Sequence, residues 1–242
     1  MKLNLSKVRL SNNDNKCDLN IPTETSLELV ELIGIFAGDG YISPYVKGRD
    51  YRLSVFLNLI DELPYLQYIN DLIFSVFNLR FLTIVRESMH TAILKKDSKG
   101  LVSFFYSLGY SKNNSIISVP EWIWNNKNYT LSFLKGIFDT DGTLSLKKKH
   151  GKNLFYPVAN IGLKDISLVN EISKRILDQQ IPHSLYMDIY LDKRTNEIYT
   201  KKVIQISGYQ NVEKWMNLVK PSNTKHIERW QLALLTRNMG RG

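Results

Sequence analysis

Two aspartates, Asp39 and Asp141, each end an apolar run with an Asp-Gly step, and they lie 102 residues apart (141 − 39). The runs read Leu32-Ile33-Gly34-Ile35-Phe36-Ala37-Gly38-Asp39-Gly40 and Leu134-Lys135-Gly136-Ile137-Phe138-Asp139-Thr140-Asp141-Gly142, identical at six of nine positions. A single such step is ordinarily a helix C-terminal turn. Its recurrence in matched context argues for two related halves, each delivering one carboxylate. Carboxylates held close repel one another unless a cation sits between them. Mg²⁺ suits that place, because it takes oxygen ligands, keeps several waters and needs only one or two carboxylates alongside phosphate oxygens. Such an ion lowers the pKa of its water and stabilises charge on the phosphate and the leaving 3′ oxygen, which is phosphodiester hydrolysis.

The elements that must position these acids can be read outward from the two runs. A helix is expected from Thr25, with Glu28 completing a capping box, through Leu27, Leu29, Val30, Ile33 and Phe36 to a stop at Gly40. Gly34 and Gly38 fall on one face of it, and Gly136 and Thr140 take the same places in the second copy. Two such helices crossing face to face would set Asp39 and Asp141 side by side. After each run comes a hairpin: Tyr51–Leu59 alternates Leu53, Val55, Leu57 and Leu59 against Arg52, Ser54, Phe56 and Asn58, and Tyr156–Leu163 repeats the pattern. A helix, a second hairpin and a closing helix follow in each half, giving the order αββαββα twice. The fold class is therefore α+β with antiparallel sheets. The organisation expected is an N-terminal arm over 1–24, too polar around Ser11–Asn15 to pack, a first half over 25–118, a linker over 119–128 and a second half over 129–242.

Composition narrows the setting. No apolar run approaches the ~20 residues of a membrane span, and the start of the chain lacks a signal-peptide core. The single cysteine, Cys17, forms no internal disulfide. An intracellular protein, in cytoplasm or an organelle matrix, is expected, not a secreted one. Thirty-two Lys and Arg against 23 Asp and Glu give a net charge of +9, which suits a polyanionic partner. There is no clustered Cys and His for zinc, no His-Glu-x-x-His and no phosphate-cradling Gly-rich loop.

The paired runs resemble the motifs of the LAGLIDADG homing endonucleases, in the single-chain form that carries two, and the likeness extends from about Leu27 onward. The resemblance implies two pseudo-symmetric αββαββα halves, motif helices packed at their interface, and polar sheet faces forming a saddle on double-stranded DNA. It makes Asp39 and Asp141 the metal ligands, with the carbonyls of Gly38 and Thr140 beside them. It implies Mg²⁺ as cofactor, Mn²⁺ as a substitute, Ca²⁺ binding without cleavage, and cutting of both strands by a monomer. Asp61 and Asp165 map to polar positions near the scissile phosphates and also stand where helix N-caps are expected. Lys112 and Lys225 map to the lysines that orient water or stabilise phosphate charge. Base-edge contacts fall to Arg52, Ser54, Asn58, Asn160, Tyr186, Tyr190, Lys201 and Gln205, and phosphate contacts to Lys47, Arg49, Lys147, Lys148, Lys149, Lys152, Lys193 and Arg194. Because the halves differ outside the motifs, an imperfectly palindromic target is expected. Met1 and the Met239–Gly242 end lack a splicing nucleophile and His-Asn pattern, so a free-standing, intron-encoded enzyme is expected in preference to an intein. The alternatives are a maturase that binds intron RNA and a non-catalytic DNA-binding regulator of the same fold.

Overall fold

The computed structural model describes residues 1–45, 50–113, 116–148, 155–192 and 196–239. The chain divides into two compact units, Met1–Thr140 and Asp141–Gly242. The first holds α1 (Asn12–Lys16), α2 (Leu27–Ala37), β1 (Gly40–Ile42), β2 (Arg52–Asn58), α3 (Leu63–Phe77), β3 (Leu82–Arg86), β4 (Thr91–Asp97) and α4 (Lys99–Ser107). After these come a short hairpin, β5 (Ser111–Asn113) and β6 (Ile116–Ser118), then α5 (Glu121–Trp124) and α6 (Lys127–Asp141), whose last residue opens the second unit. That unit continues with β7 (Gly142–Lys148), β8 (Phe155–Leu163), α7 (Ile166–Asp178), β9 (Ser184–Asp192), β10 (Glu197–Ser207), α8 (Tyr209–Val219) and α9 (Thr224–Met239). The αββαββα order thus occurs twice, from α2 to α4 and from α6 to α8.

The two four-stranded sheets are antiparallel and share one strand order, β1-β2-β4-β3 and β7-β8-β10-β9. Leu53, Val55 and Leu57 of β2 and Ala92 and Leu94 of β4 line the inner face of the first sheet, each at most 2% exposed. α2 is the centre of the first unit, since every residue from Leu29 to Ala37 is buried. A helix enclosed on all sides has no use for a polar face, which is why its sequence is apolar nearly all round. Phe36 stands edge-on to Phe105 with ring centroids 5.1 Å apart, and Phe105 in turn meets Phe104 and Tyr110.

The helix is one residue later and shorter than the sequence pattern suggests. Ser26, not Thr25, is its N-cap, accepting from the Leu29 N–H at 3.1 Å. The Thr25 hydroxyl is taken by the Tyr129 hydroxyl at 2.7 Å and by the Met1 amino group. At the other end Gly38 is the C-cap and Gly40 already belongs to β1, where a Cβ would lie 2.3 Å from the Phe36 Cα.

The N-terminal segment, expected as an unpacked arm, packs. Ser11 and Asp14 form a capping box on α1, and Asp14 is only 3% exposed. Its carboxylate accepts from Ser11 N at 2.7 Å, Ser11 Oγ at 2.6 Å, Ser98 Oγ at 2.5 Å and Gly100 N at 3.0 Å. One acid therefore closes two helix N-termini, α1 and α4, where free N–H groups and the helix dipole favour negative charge. Mean polarity of the segment misses this, because a single matched carboxylate outweighs the surrounding asparagines. Burial pulls the Asp14 pKa up, but the bonds from Ser11, Ser98 and Gly100 outweigh it and hold the carboxyl below its usual range. Asp14→Ala should lower stability at neutral pH by about 1–3 kcal/mol. With a depressed folded-state pKa, this contribution is present above the ordinary carboxylate pKa and fades as pH falls through the folded value. Urea unfolding of wild type and variant should show the gap closing in strong acid.

Candidate active site

The site is built on the crossing of α2 and α6. A Cβ on Gly34 would lie 2.4 Å from the Phe133 carbonyl oxygen and 3.1 Å from the Gly136 Cα. One on Gly136 would lie 2.4 Å from the Glu31 carbonyl oxygen and 2.7 Å from the Ile35 nitrogen. The two backbones touch at these glycines, and the neighbouring atoms are main chain, which cannot step aside as a side-chain tip can.

Each helix hands its chain to a strand within two residues, and an aspartate sits at the junction. Asp39 follows the Gly38 cap and is half-buried, and its carbonyl accepts the Phe56 N–H at 3.1 Å, fixing it to β2. Gly40 then pairs with Val55. Asp141 is the half-buried last residue of α6, and Gly142 pairs with Ile161 in the equivalent register. Thr140 is 5% exposed and its hydroxyl donates to the carbonyls of Gly136 at 2.8 Å and Ile137 at 3.1 Å, which keeps α6 helical up to the acid.

Lys112, on β5, lies at the end of α2. Its ammonium donates to the carbonyl oxygens of Phe36 at 3.4 Å, Ala37 at 2.8 Å and Gly38 at 2.5 Å. These carbonyls have lost their helical donors and carry the negative end of the dipole, so a cation belongs there. Lys225 stands in the first turn of α9, next to the fully buried Asn223 and His226, with its backbone N–H on Asn223 Oδ1 at 3.2 Å. Asp165 caps α7, accepting from the Leu168 N–H at 3.0 Å. Asp61 does not cap α3: it is exposed in the preceding turn, the N-cap is Glu62, and the Glu62 carboxylate reaches back to the Asn58 N–H at 2.8 Å. The longer Glu62 side chain spans the turn that a cap at Asp61 would have closed.

Beside the crossing lies a polar cluster that the motif comparison missed. Lys135 Nζ contacts Glu31 Oε1 and the Tyr68 hydroxyl, each at 2.6 Å, and that hydroxyl donates to Glu31 Oε1 at 2.7 Å. Glu31 is 8% exposed and Lys135 15%, so the pair links α2, α3 and α6 almost out of water. Burial works against the ammonium, yet the Glu31 carboxylate and the bonds to Glu31 and Tyr68 lift the Lys135 pKa above the usual lysine range. The available signal was charge on a buried helix: Glu31 directly precedes the first run, and Lys135 replaces Ile33 in the second. Nearby, Tyr65 is fully buried, and its hydroxyl has no hydrogen-bond partner among the described residues. Burial, followed by the charges of Asp139, Glu31 and Asp39 and the Tyr68 phenol, pushes its pKa well above the tyrosine range, so it stays a neutral donor.

The outer faces of the sheets hold the other predicted residues. Arg52 runs along the end of the first sheet, paired with Asp97 at 3.2 Å and Asp50 at 3.8 Å, and Asn58 is exposed at the other end. Ser54 shares that face but is 2% exposed, flanked in register by Tyr41 and Lys95, so the small hydroxyl lies below its larger neighbours. In the second sheet Asn160 pairs with Thr143 and Gln205, and Gln205 with Ser184, giving one polar row. Lys201 pairs with Asp188 at 3.4 Å and stacks over Tyr190, and Tyr186 is 40% exposed. Lys147 and Lys148 are exposed at the end of β7. Lys47, Arg49, Lys149, Lys152, Lys193 and Arg194 lie outside the described residues.

The donors at the end of α2 are all oxygens, a carboxylate and backbone carbonyls, and the carbonyls already hold one cation, the Lys112 ammonium. Among the described residues no three His, Cys, Asp or Glu side chains are gathered into a cluster. The donor set fits a hard divalent ion bound through few carboxylates and does not fit zinc.

Comparison with known proteins gives the fold. No family model matches the sequence. A curated relative, the replication factor C small subunit of Methanocaldococcus jannaschii, is 25% identical over 189 residues, covering 70% of this chain. The chain spans about a tenth of that relative's length. Solved structures align far more completely. Variants of the homing endonuclease I-DmoI match at TM-score 0.52 with 17% identity, covering 80% of this chain and 96% of theirs. The LAGLIDADG homing endonuclease I-GzeII in complex with its DNA target matches at 0.55 with 8% identity, covering 90% and 92%. The N-terminal LAGLIDADG domain of WhiA matches at 0.50 with 16% identity, covering 88% and 92%. Other I-DmoI structures hold DNA together with Mg, Mn or Ca.

The Glu31–Lys135 pair makes a separate stability prediction. Lys135→Met leaves a buried carboxylate unpaired and should cost about 3–5 kcal/mol, while adding Glu31→Leu should restore most of the loss. Because the folded-state pKa of Lys135 is raised, the pair contributes fully below the unfolded lysine pKa and weakens only as pH climbs through the folded value. Denaturant unfolding at neutral and strongly alkaline pH checks both statements.

Proposed function

We propose that this chain, which has the LAGLIDADG homing endonuclease fold, is a site-specific nuclease that cuts both strands of a long, imperfectly palindromic DNA target with a divalent metal ion. The observation that carries the reading is the repeated junction: in both sheets an aspartate stands between the motif helix and a glycine in equivalent register, Gly40 against Val55 and Gly142 against Ile161. A backbone register kept in two halves of otherwise different sequence is the arrangement expected of two carboxylates serving one chemistry, one per strand.

In this reading Asp39 and Asp141, with the carbonyls of Gly38 and Thr140, hold Mg²⁺ or Mn²⁺. The ion supplies Lewis-acid stabilisation of the charge that develops on the phosphate. Lys112 shares the Gly38 carbonyl and places its positive charge beside Asp39, where it is available to a phosphate oxygen. Along the second sheet Asn160 and Gln205 lie on the polar row that would face base edges, and Lys147 and Lys148 neutralise phosphates.

Duplexes selected from a random library by binding in Ca²⁺, then challenged with Mg²⁺, test the reading. Asp39→Asn and Asp141→Asn should each reduce cleavage by roughly 10²–10³-fold or more while binding in Ca²⁺ persists. Wild-type cutting by both variants would remove the assignment. Replacing Lys147 and Lys148 with Gln should weaken binding evenly across sequences and reduce the salt slope of log K by about 2.

A further inference from the structure

The open face of the first sheet carries an apolar row that crosses three strands. Phe56 of β2 pairs in register with Ile93 of β4, and Ile93 with Ile84 of β3. Phe56 is 44% exposed and lies over an Ile93 that is 5% exposed. The row starts beside the acid, because the Phe56 N–H is the one held by the Asp39 carbonyl. On one side it is bordered by Ser54, Lys95 and the exposed Leu82, on the other by Asn58, Thr91 and Arg86. The equivalent row of the second sheet begins with Gly162, which pairs with Val203, itself paired with Tyr186. One half thus projects an aromatic ring where the other has no side chain.

We propose that Phe56 is a specificity-determining residue that packs on the C5-methyl groups of thymines in one half of the DNA target, an inference that rests on the DNA-binding function proposed above. The major groove offers one apolar feature, the thymine methyl, and it distinguishes T·A from every other pair when an apolar side chain meets it. Three strands at ~4.8 Å spacing make a row about 10 Å long, against a groove about 12 Å wide. An apolar row flanked by Lys95 and Arg86 sets apolar contacts between cations that can meet the phosphate backbones. Cations on both sides of the row favour a polyanion over an apolar protein surface. Gly162 presents no such group, so the preference belongs to one half-site only.

The test uses the full chain and a duplex selected from a random library in Ca²⁺, with each thymine replaced in turn by deoxyuridine. This removes the methyl and leaves the pairing edges unchanged. For the wild type, one or two adjacent thymines in one half should each lose roughly fourfold in affinity, the value of one buried methyl. Phe56→Ala should bind the thymine and deoxyuridine duplexes equally, with Phe56→Leu intermediate, and thermal unfolding of both variants establishes that they are folded. A wild-type profile flat at every thymine, or a profile unchanged in folded Phe56→Ala, overturns the inference while leaving DNA binding in place. Failure to retain any duplex overturns the underlying function instead. A Phe56-dependent change in mass of the DNA-free protein on sedimentation overturns it in favour of a second copy docking on this face.

Discussion

Everything at the candidate site depends on two backbones touching. At Gly34 and Gly136 the main chains of α2 and α6 approach so closely that a single added carbon on either would sit 2.4 Å from a carbonyl oxygen of the other helix. That contact has no adjustable part. A side-chain interface can repack around a changed residue, but main chain against main chain has only separation as a response. Separation would disturb the end of α2, because its Ala37 and Gly38 carbonyls, the Lys112 ammonium and the Asp39 junction with β2 are all referred to the same helix. The glycines are therefore remote from the chemistry yet set its geometry.

The crossing also has an electrical side. A helix buried on every residue from Leu29 to Ala37 still carries Glu31, and its partner carries Lys135. A buried pair of this kind contributes little net stability compared with an apolar pair of the same volume, since both charges must be desolvated. What it does supply is discrimination. Lys135 takes the Ile33 slot and Glu31 aligns with Phe133, so the first helix crossing a copy of itself would set Glu31 against Ile33, and the second would set Lys135 against Phe133. Either would bury an unpaired charge, which matches the first motif helix to the second.

How much of this was legible in the sequence follows from the physics of each element. The αββαββα order and the inner faces of the strands came through because amphipathic periodicity is a local property. Positions decided by a single hydrogen bond did not. Ser26 and Thr25 are chemically equivalent caps, and only the distant Tyr129 hydroxyl decides between them. Asp61 and Glu62 are likewise adjacent acids, separated by which one reaches the Asn58 N–H. The N-terminal segment was misjudged for the same reason, since Asp14 is satisfied by Ser98 and Gly100, more than eighty residues away. Ser54 was assigned to the correct side of its strand, but its burial depends on the neighbouring Tyr41 and Lys95, which alternation cannot weigh.

The two halves therefore differ in a graded way, and the gradient has a physical direction. Nearest the helix crossing the sequence is constrained by backbone contact, and six of nine positions agree. One step outward, at the row beginning with Phe56 or Gly162, register is kept while side-chain volume is not. Further out the faces share neither charge nor shape: Arg86 of β3 stands where Asp188 of β9 does, by the pairings Arg86 with Thr91 and Asp188 with Lys201. Agreement falls as residues move from main-chain packing to solvent, because only the former has no alternative solution. A scaffold of this kind keeps what the geometry of the acids requires and leaves its outer faces free to acquire two different surfaces, so that one chain can present unlike halves without altering the junctions that carry Asp39 and Asp141.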